Sequence, residues 1–373
     1  MSVSVALVAF SYIFGGLEKT RWFFASVSLL ILSLCAYQTS ANIFIGLIAA
    51  GIILDCYYGK NTIINATKRS ASFLLAYIIY TFIVAPRYLK TNRGEIVGIN
   101  SDGIKTISEN LLSAEKLIEK LCTSEVVKYL SPLILIAALA VAFLIIYASK
   151  IKHRPIMLLT SFALVCSPVI ALIAISGPLF LLKGFGFVPR VMTGFSGTLI
   201  FLFSASYIGL DFVCRKQKKL SFLKIYLLTP IIFSFSLCYS YMNAAKAQND
   251  YEKSIIQSVF SFVNANIQND ENLPVYILGE PRYSEIFKTN AFKFPIIFDL
   301  YKRMYDWTSF MNLNMLGIDN LKFSFDRTAT EKMIDEYCKR DINYILNNKI
   351  YSISKDNVKY VIWLNSENNR ICK

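Results

Sequence analysis

Three cations stand beside chain breaks in an otherwise apolar sequence: Arg87 after Pro86, Lys183 inside the glycine- and proline-broken link from Gly177 to Arg190, and Arg190 itself after Pro189. Proline is favoured at the first positions of a helix, where its missing N–H is not needed, so Pro189 places Arg190 in or beside a first helical turn. An anion at that point would meet the guanidinium fork and the free amides of the helix end together, and a lipid-linked phosphate or pyrophosphate fits such a site. The plainer reading of each cation is a snorkelling anchor at a bilayer surface. That reading suits Lys183 and Arg87 best, because a lone arginine in a long uncharged stretch has the least reason to be there by default. A transfer to a hydroxyl would also want a carboxylate base. Glu95, Asp102, Glu109, Glu280, Glu285, Asp299 and Asp306 are available, but spacing singles out none of them, so no catalytic residue is assigned. With one histidine, His153, and eight cysteines without a C-x-x-C pair, the chain offers neither a metal site nor a histidine-based triad.

The elements that position these residues are membrane spans. The composition, 55% hydrophobic and 17% charged with a mean hydropathy of +0.46, is that of a polytopic membrane protein. The net charge of +14 is spread over the ends of apolar runs and forms no single stripe, which argues against nucleic acid as a partner and for positive-inside topology among membrane lipids. Apolar runs predict about eight transmembrane helices, at 2–17, 22–37, 39–57, 70–87, 129–149, 155–177, 191–213 and 221–242, the second and third joined by a tight polar turn from Tyr37 to Asn42. Basic residues cluster in alternate connections: Lys19 and Arg21; Lys60, Lys68 and Arg69; Lys150, Lys152 and Arg154; Arg215, Lys216, Lys218 and Lys219. Those connections are expected to be cytoplasmic, with Asp55 and Asp211 at the same ends. The Gln38 turn, the 88–128 segment, the Gly177–Arg190 link and the tail then lie outside, and Tyr37, Gln38 and Arg282 join the three cations as outer-rim candidates.

The later half of 88–128 repeats apolar residues at helical spacing and predicts an amphipathic helix, lying on the membrane or covering a groove. Beyond residue 242 the composition becomes that of a small soluble α/β domain, 243–373. It opens with a helix over 244–268 and a strand Pro274–Gly279, passes a turn at Glu280–Tyr283 and the aromatic segment 292–316, and ends in a helix over 330–339 and strands at 344–346, 350–353 and 358–364. Phe298–Trp307 has the aromatic and basic make-up of an interfacial anchor. Cys338 and Cys372 stand apart in this tail, and a disulfide between them is expected if it lies outside the cytoplasm.

Arg21-Trp22 before a span, Tyr37-Gln38 at its outer end, Val188-Pro189-Arg190, Val275–Gly279 and Phe294-Pro295 followed by a tryptophan-containing segment together resemble the bacterial and prophage Gtr-type glucosyltransferases that modify O-antigen. The resemblance implies a GT-C-like inner-membrane enzyme with a periplasmic C-terminal domain. It would take glucose from undecaprenyl-phosphate-glucose on the periplasmic side and add it to O-antigen repeats of lipopolysaccharide, commonly without a metal or other cofactor, and so convert serotype. Members usually begin with a cytoplasmic N-terminus, a first span and a large acidic periplasmic loop. This sequence starts instead with an outer-side N-terminus, so the expectation is a truncated product or a partner that supplies the acid. Two readings of other classes stand beside it: a flippase for lipid-linked saccharides, disfavoured by the lack of internal repeats and mid-span acids, and a non-catalytic membrane assembly subunit.

Overall fold

The computed structural model describes residues 2–88, 97–98, 100–151, 153–183, 192–216, 218–266, 274–318, 321–322, 344–348, 350–356 and 359–364. The chain divides into two compact units, Met1–Ser236 and Leu237–Lys373.

The first unit is helical: α1 (Ser2–Gly15), α2 (Thr20–Ala36), α3 (Ala41–Tyr57), α4 (Thr62–Ile79), α5 (Ala85–Tyr88), α6 (Ser101–Leu121), α7 (Ser124–Ala148), α8 (Arg154–Ser176), α9 (Gly194–Lys216) and the start of α10 (Thr229–Asn266). Six helical stretches among the described residues are long and apolar enough to cross a membrane: Gln38–Tyr57, Thr62–Tyr88, Val126–Ala148, Arg154–Leu181, Gly194–Arg215 and Phe222–Asn266. The first two expected spans are shorter helices of 14 and 17 residues. At about 1.5 Å per residue they reach roughly 21 and 26 Å, short of a hydrocarbon core of about 30 Å.

Helix α3 is the axis of the bundle, packed against α1, α4, α7, α8 and α9. That is why its sequence is apolar on every side. Its crossing with α9 is made by glycine: a Cβ on Gly46 would stand 2.5 Å from the Gly197 Cα, so the two backbones approach as small-residue interfaces in membranes do. Antiparallel α1 and α2 are joined by serines one heptad apart. Ser11 Oγ lies 2.9 Å from Ser26 Oγ, and Ser4 Oγ lies 2.8 Å from Ser33 Oγ, all buried. The interior prolines of α7 and α8, Pro132 and Pro168, each free a carbonyl four residues back. In both cases the preceding serine takes it: Ser131 Oγ donates to Lys128 O at 2.9 Å and Ser167 Oγ to Leu164 O at 2.8 Å, which keeps the helices continuous where water is scarce.

Helix α10 departs from expectation. A span over 221–242 and a separate helix over 244–268 were anticipated, but a single 38-residue helix runs from Thr229 to Asn266. No glycine or proline lies between Met242 and Asn266 to stop it, and alanines favour its continuation. In the second unit its face of Ile255, Ile256, Val259 and Val263 packs on a five-stranded sheet of order β2-β1-β5-β4-β3: β1 (Val275–Gly279), β2 (Leu321–Lys322), β3 (Tyr344–Asn347), β4 (Tyr351–Asp356) and β5 (Lys359–Leu364). β1 runs parallel to both β2 and β5, whereas β5, β4 and β3 are antiparallel. β5 is central and therefore apolar at nearly every position, with Tyr360 to Leu364 buried. Short helices α11 (Glu285–Lys293), α12 (Ile297–Leu300) and α13 (Asp306–Met315) follow β1. The anticipated 330–339 helix and both Cys338 and Cys372 lie outside the described residues.

Candidate functional site

At one end of the bundle three connections meet. The Gln38–Ser40 turn is fastened from below by Ser40 Oγ, which contacts Ser4 Oγ, lies 2.9 Å from Ser33 Oγ, and donates to Tyr37 O at 2.7 Å. Asn42, 1% exposed in the first turn of α3, donates from Nδ2 to Ser176 O at 3.1 Å and so ties this turn to the end of α8. The chain leaves α8 through Gly177 at φ +54°, where a Cβ would collide with the Asn42 amide. Entry to α9 is tied to the same place, because Thr193 Oγ1 donates to Thr39 O at 2.7 Å.

Helix α6 covers the Gly177–Leu181 turn. Its Asn110 Nδ2 donates to Phe180 O and Leu182 O at 3.0 and 3.1 Å, and Val97 N donates to Leu181 O at 2.8 Å. The expected amphipathic helix is thus present as α6 and packs over this turn. Gly177→Ala combines a left-handed φ with the Asn42 clash. It is expected to lower the thermal midpoint of the purified protein, and Asn42→Ala added to it should recover part of that loss.

The sequence-derived candidates fall as follows. Tyr37 and Gln38 are half-buried in the α2–α3 turn, and Lys183 is exposed directly after Leu182. Arg87 is exposed on α5, whose first residue Ala85 packs with Val84 against the cluster of Leu34, Ala41 and Tyr80 at the same end. Arg190 lies outside the described residues. The N-termini of α3 and α9 both open here, adding their partial positive charge to these cations. Between them the Thr39 hydroxyl is buried with no hydrogen-bond partner among the described residues. Such an end suits an anion. Asn42 and Asn110 are the residues that sequence reasoning missed. The signal for Asn110 was present, since it interrupts the apolar stripe Ile107, Ala114, Leu117, Leu121 at helical spacing.

Two charged clusters occupy the opposite end. Arg69, counted with Lys60 and Lys68 in the basic connection before the fourth span, lies inside α4 and is 8% exposed. Its Nη1 meets Asp55 Oδ2 at 2.9 Å, its guanidinium sits 4.2 Å over the Tyr12 ring, and Asn65 Nδ2 adds a 3.2 Å bond to the same carboxylate oxygen. Asp211 accepts from the Tyr57 hydroxyl and pairs with Arg215 Nε at 2.8 Å and Lys224 Nζ at 3.2 Å.

In the second unit, Arg282 is half-buried, and its carbonyl accepts from Gln248 Nε2 at 3.0 Å. Among the carboxylates considered from sequence, Glu280 pairs with Arg303 Nη2 at 2.6 Å and Glu285 with Lys288 Nζ at 3.0 Å, while Asp102 and Glu109 are exposed on α6. Glu95 and the Asp306 side chain lie outside what is described. A buried acid not anticipated from sequence is Glu252 on α10, which accepts from Gln248 Nε2 at 3.0 Å, Tyr301 Oη at 3.1 Å and Met304 N at 3.1 Å. Burial first, and the neighbouring Glu252 charge second, push the Tyr301 phenol well above its ordinary value. A raised folded-state pKa favours folding while the phenol is protonated. This contribution is complete below the unfolded tyrosine pKa of about 10 and is lost as pH rises from there towards the folded value. Denaturant titrations from pH 8 to 12 should show the loss, and Tyr301→Phe should make it smaller.

The profile of the glucosyl transferase GtrII family matches residues 1–201. A relative from Salmonella phage P22, described as an uncharacterized 55.3 kDa protein in the gtrB 5′ region, is 24% identical over 317 residues. The alignment covers 82% of this chain and 63% of that protein, so the chain spans less than two thirds of its relative's length. No solved structure matches. The family profile covers more than half the chain, including the Gln38 turn, the Gly177 turn and the start of α9, and the chain belongs to the GtrII glucosyl transferase family.

Proposed function

We propose that this chain is the membrane glucosyltransferase, or a large part of it, that moves glucose from a polyprenyl-phosphate carrier such as undecaprenyl-phosphate-glucose to O-antigen repeats of lipopolysaccharide. The reaction takes place on the periplasmic side of the bacterial inner membrane. The observation that carries the reading is the gathering of Lys183, Arg87 and the α3 and α9 N-termini at one end of a GtrII-family bundle. Arg190 belongs to the same connection in sequence and completes the donor-phosphate clamp. The basic connections sit at the other ends of the helices, which supports an outward-facing anion site.

In this reading α1 and α2 are short spans that complete a set of eight, and residues 243–373 form a periplasmic domain in which Cys338 and Cys372 pair. A lipid-linked anion approaches from the bilayer, and a cationic helix-end site holds its phosphate while the sugar leaves. The acid or base that activates the acceptor is not assigned to a residue. The test is O-antigen glucose content in cells that make undecaprenyl-phosphate-glucose, with and without this gene. Added glucose is expected with it, and an unchanged O-antigen would remove the reading. Reporter fusions after Tyr241 are expected to report a periplasmic tail, and a cytoplasmic signal would reverse the topology.

A further inference from the structure

The second unit contains a pocket of about 560 Å³ between α10 and the segment leading into α13, within the range of roughly 300–1,000 Å³ usual for small-ligand sites. Buried Met304 forms part of its wall, and the exposed Tyr305 also lines it. Around it lie three carboxamides, Asn249, Gln257 and Asn312, and two lysines, Lys253 and Lys302.

The charges of this lining are not balanced. Glu252 also borders the pocket, but three donors from Gln248, Tyr301 and Met304 already occupy its oxygens. Arg303 is neutralised by Glu280 at 2.6 Å, and its guanidinium lies 4.4 Å over the Tyr283 ring. Lys253 and Lys302 make no ion pair among the described residues, so the open positive charge at the rim is theirs. Carboxamides each present a donor and an acceptor on one plane, which suits adjacent hydroxyls. An aromatic face suits the apolar side of a pyranose ring.

We propose that this pocket binds a saccharide segment carrying negative charge. Its use as a docking subsite for the acceptor chain rests on the transfer reaction proposed above. Glu252 is then a positioning residue: its bonds to the Met304 amide and the Tyr301 hydroxyl hold the 301–305 segment that presents Lys302 and Tyr305.

The test is calorimetric binding to the full chain in detergent micelles, with tetragalacturonate as the anionic probe and maltotetraose as the neutral one. Tetragalacturonate should bind the more tightly. Lys253→Glu with Lys302→Glu should weaken it by about tenfold or more, as expected for reversing two rim charges. A control of equal charge change on the same unit, Lys246→Glu with Lys293→Glu, should stay within about twofold. Absent tetragalacturonate binding, an unchanged affinity in the pocket variant, or an equal loss in the control would each overturn the proposal, the last by showing non-specific attraction to a basic protein. Pocket-dependent binding by a chain that transfers no glucose would uphold the site and overturn only its acceptor role.

Discussion

Arg69→Ala is expected to leave little folded protein in the membrane. The guanidinium is packed between α1, α3 and α4, bonded to Asp55 at 2.9 Å and stacked on Tyr12. Glycines surround it closely: a Cβ on Gly16 would stand 2.6 Å from Arg69 Nη2, and one on Gly51 would stand 2.7 Å from Nη1, so either would force the guanidinium to shift. Truncating the arginine strands the Asp55 carboxylate where water does not reach. Breaking a buried pair in this way costs about 3–5 kcal/mol, a large share of a total stability of about 5–15 kcal/mol. Asp55→Asn should be comparably harmful, because it leaves the guanidinium uncompensated. The double substitution Arg69→Met with Asp55→Leu removes both charges and should recover much of the loss. Thermal unfolding in detergent, read beside yield from membranes, separates these cases. A wild-type midpoint for Arg69→Ala would show that the pair is not a structural lock.

Arg190→Ala is expected to cut glucosyl transfer by about 10²–10³-fold, the usual effect of deleting one preorganised group that stabilises developing charge, while insertion and unfolding midpoint stay unchanged. The loss follows from the chemistry of the leaving group. As the sugar departs, negative charge grows on the carrier phosphate, and in the proposed role the planar guanidinium of Arg190 would meet two of its oxygens together. Arg190→Lys keeps the charge but not the fork, and should fall between the two. Lys183→Ala should cost less, since an exposed ammonium on a flexible stem is a looser phosphate partner. Radiolabelled glucose transfer in inner-membrane vesicles reads all three, and normal transfer by Arg190→Ala would sink the donor-phosphate role.

How much could be read in advance differed with the kind of residue. Helices α7, α8 and α9 were legible because an apolar run of span length has few alternatives, and β1, β4 and β5 because short apolar runs bounded by turn residues read as strands. The Gly177 break was legible because glycine and proline signal chain reversal. Arg69 was misread for a definable reason. A basic residue just before an apolar run looks the same in sequence whether it snorkels to water or turns inward to an acid. Its partners, Asp55 and Tyr12, come from helices elsewhere in the chain. Glu252 was passed over similarly, since nothing local distinguishes it from the other acids of a polar helix face. Its three donors come from α10 itself and from residues 301 and 304.

The one-dimensional pattern of the chain by itself determined the membrane class, the alternation of basic and non-basic connections, the change to a soluble composition beyond residue 242, and the family kinship later shown by the GtrII profile. Each of these depends on composition or on local periodicity. Only the tertiary structure decided that Asn42, Ser176, Thr39 and Thr193 fasten one end of the bundle. It also decided that Asn110 clamps α6 over the Gly177 turn, and that Arg69 is paired inside the bundle. Those decisions rest on hydrogen bonds and close packing between residues far apart in the chain, and such contacts exist only once the helices have chosen their neighbours.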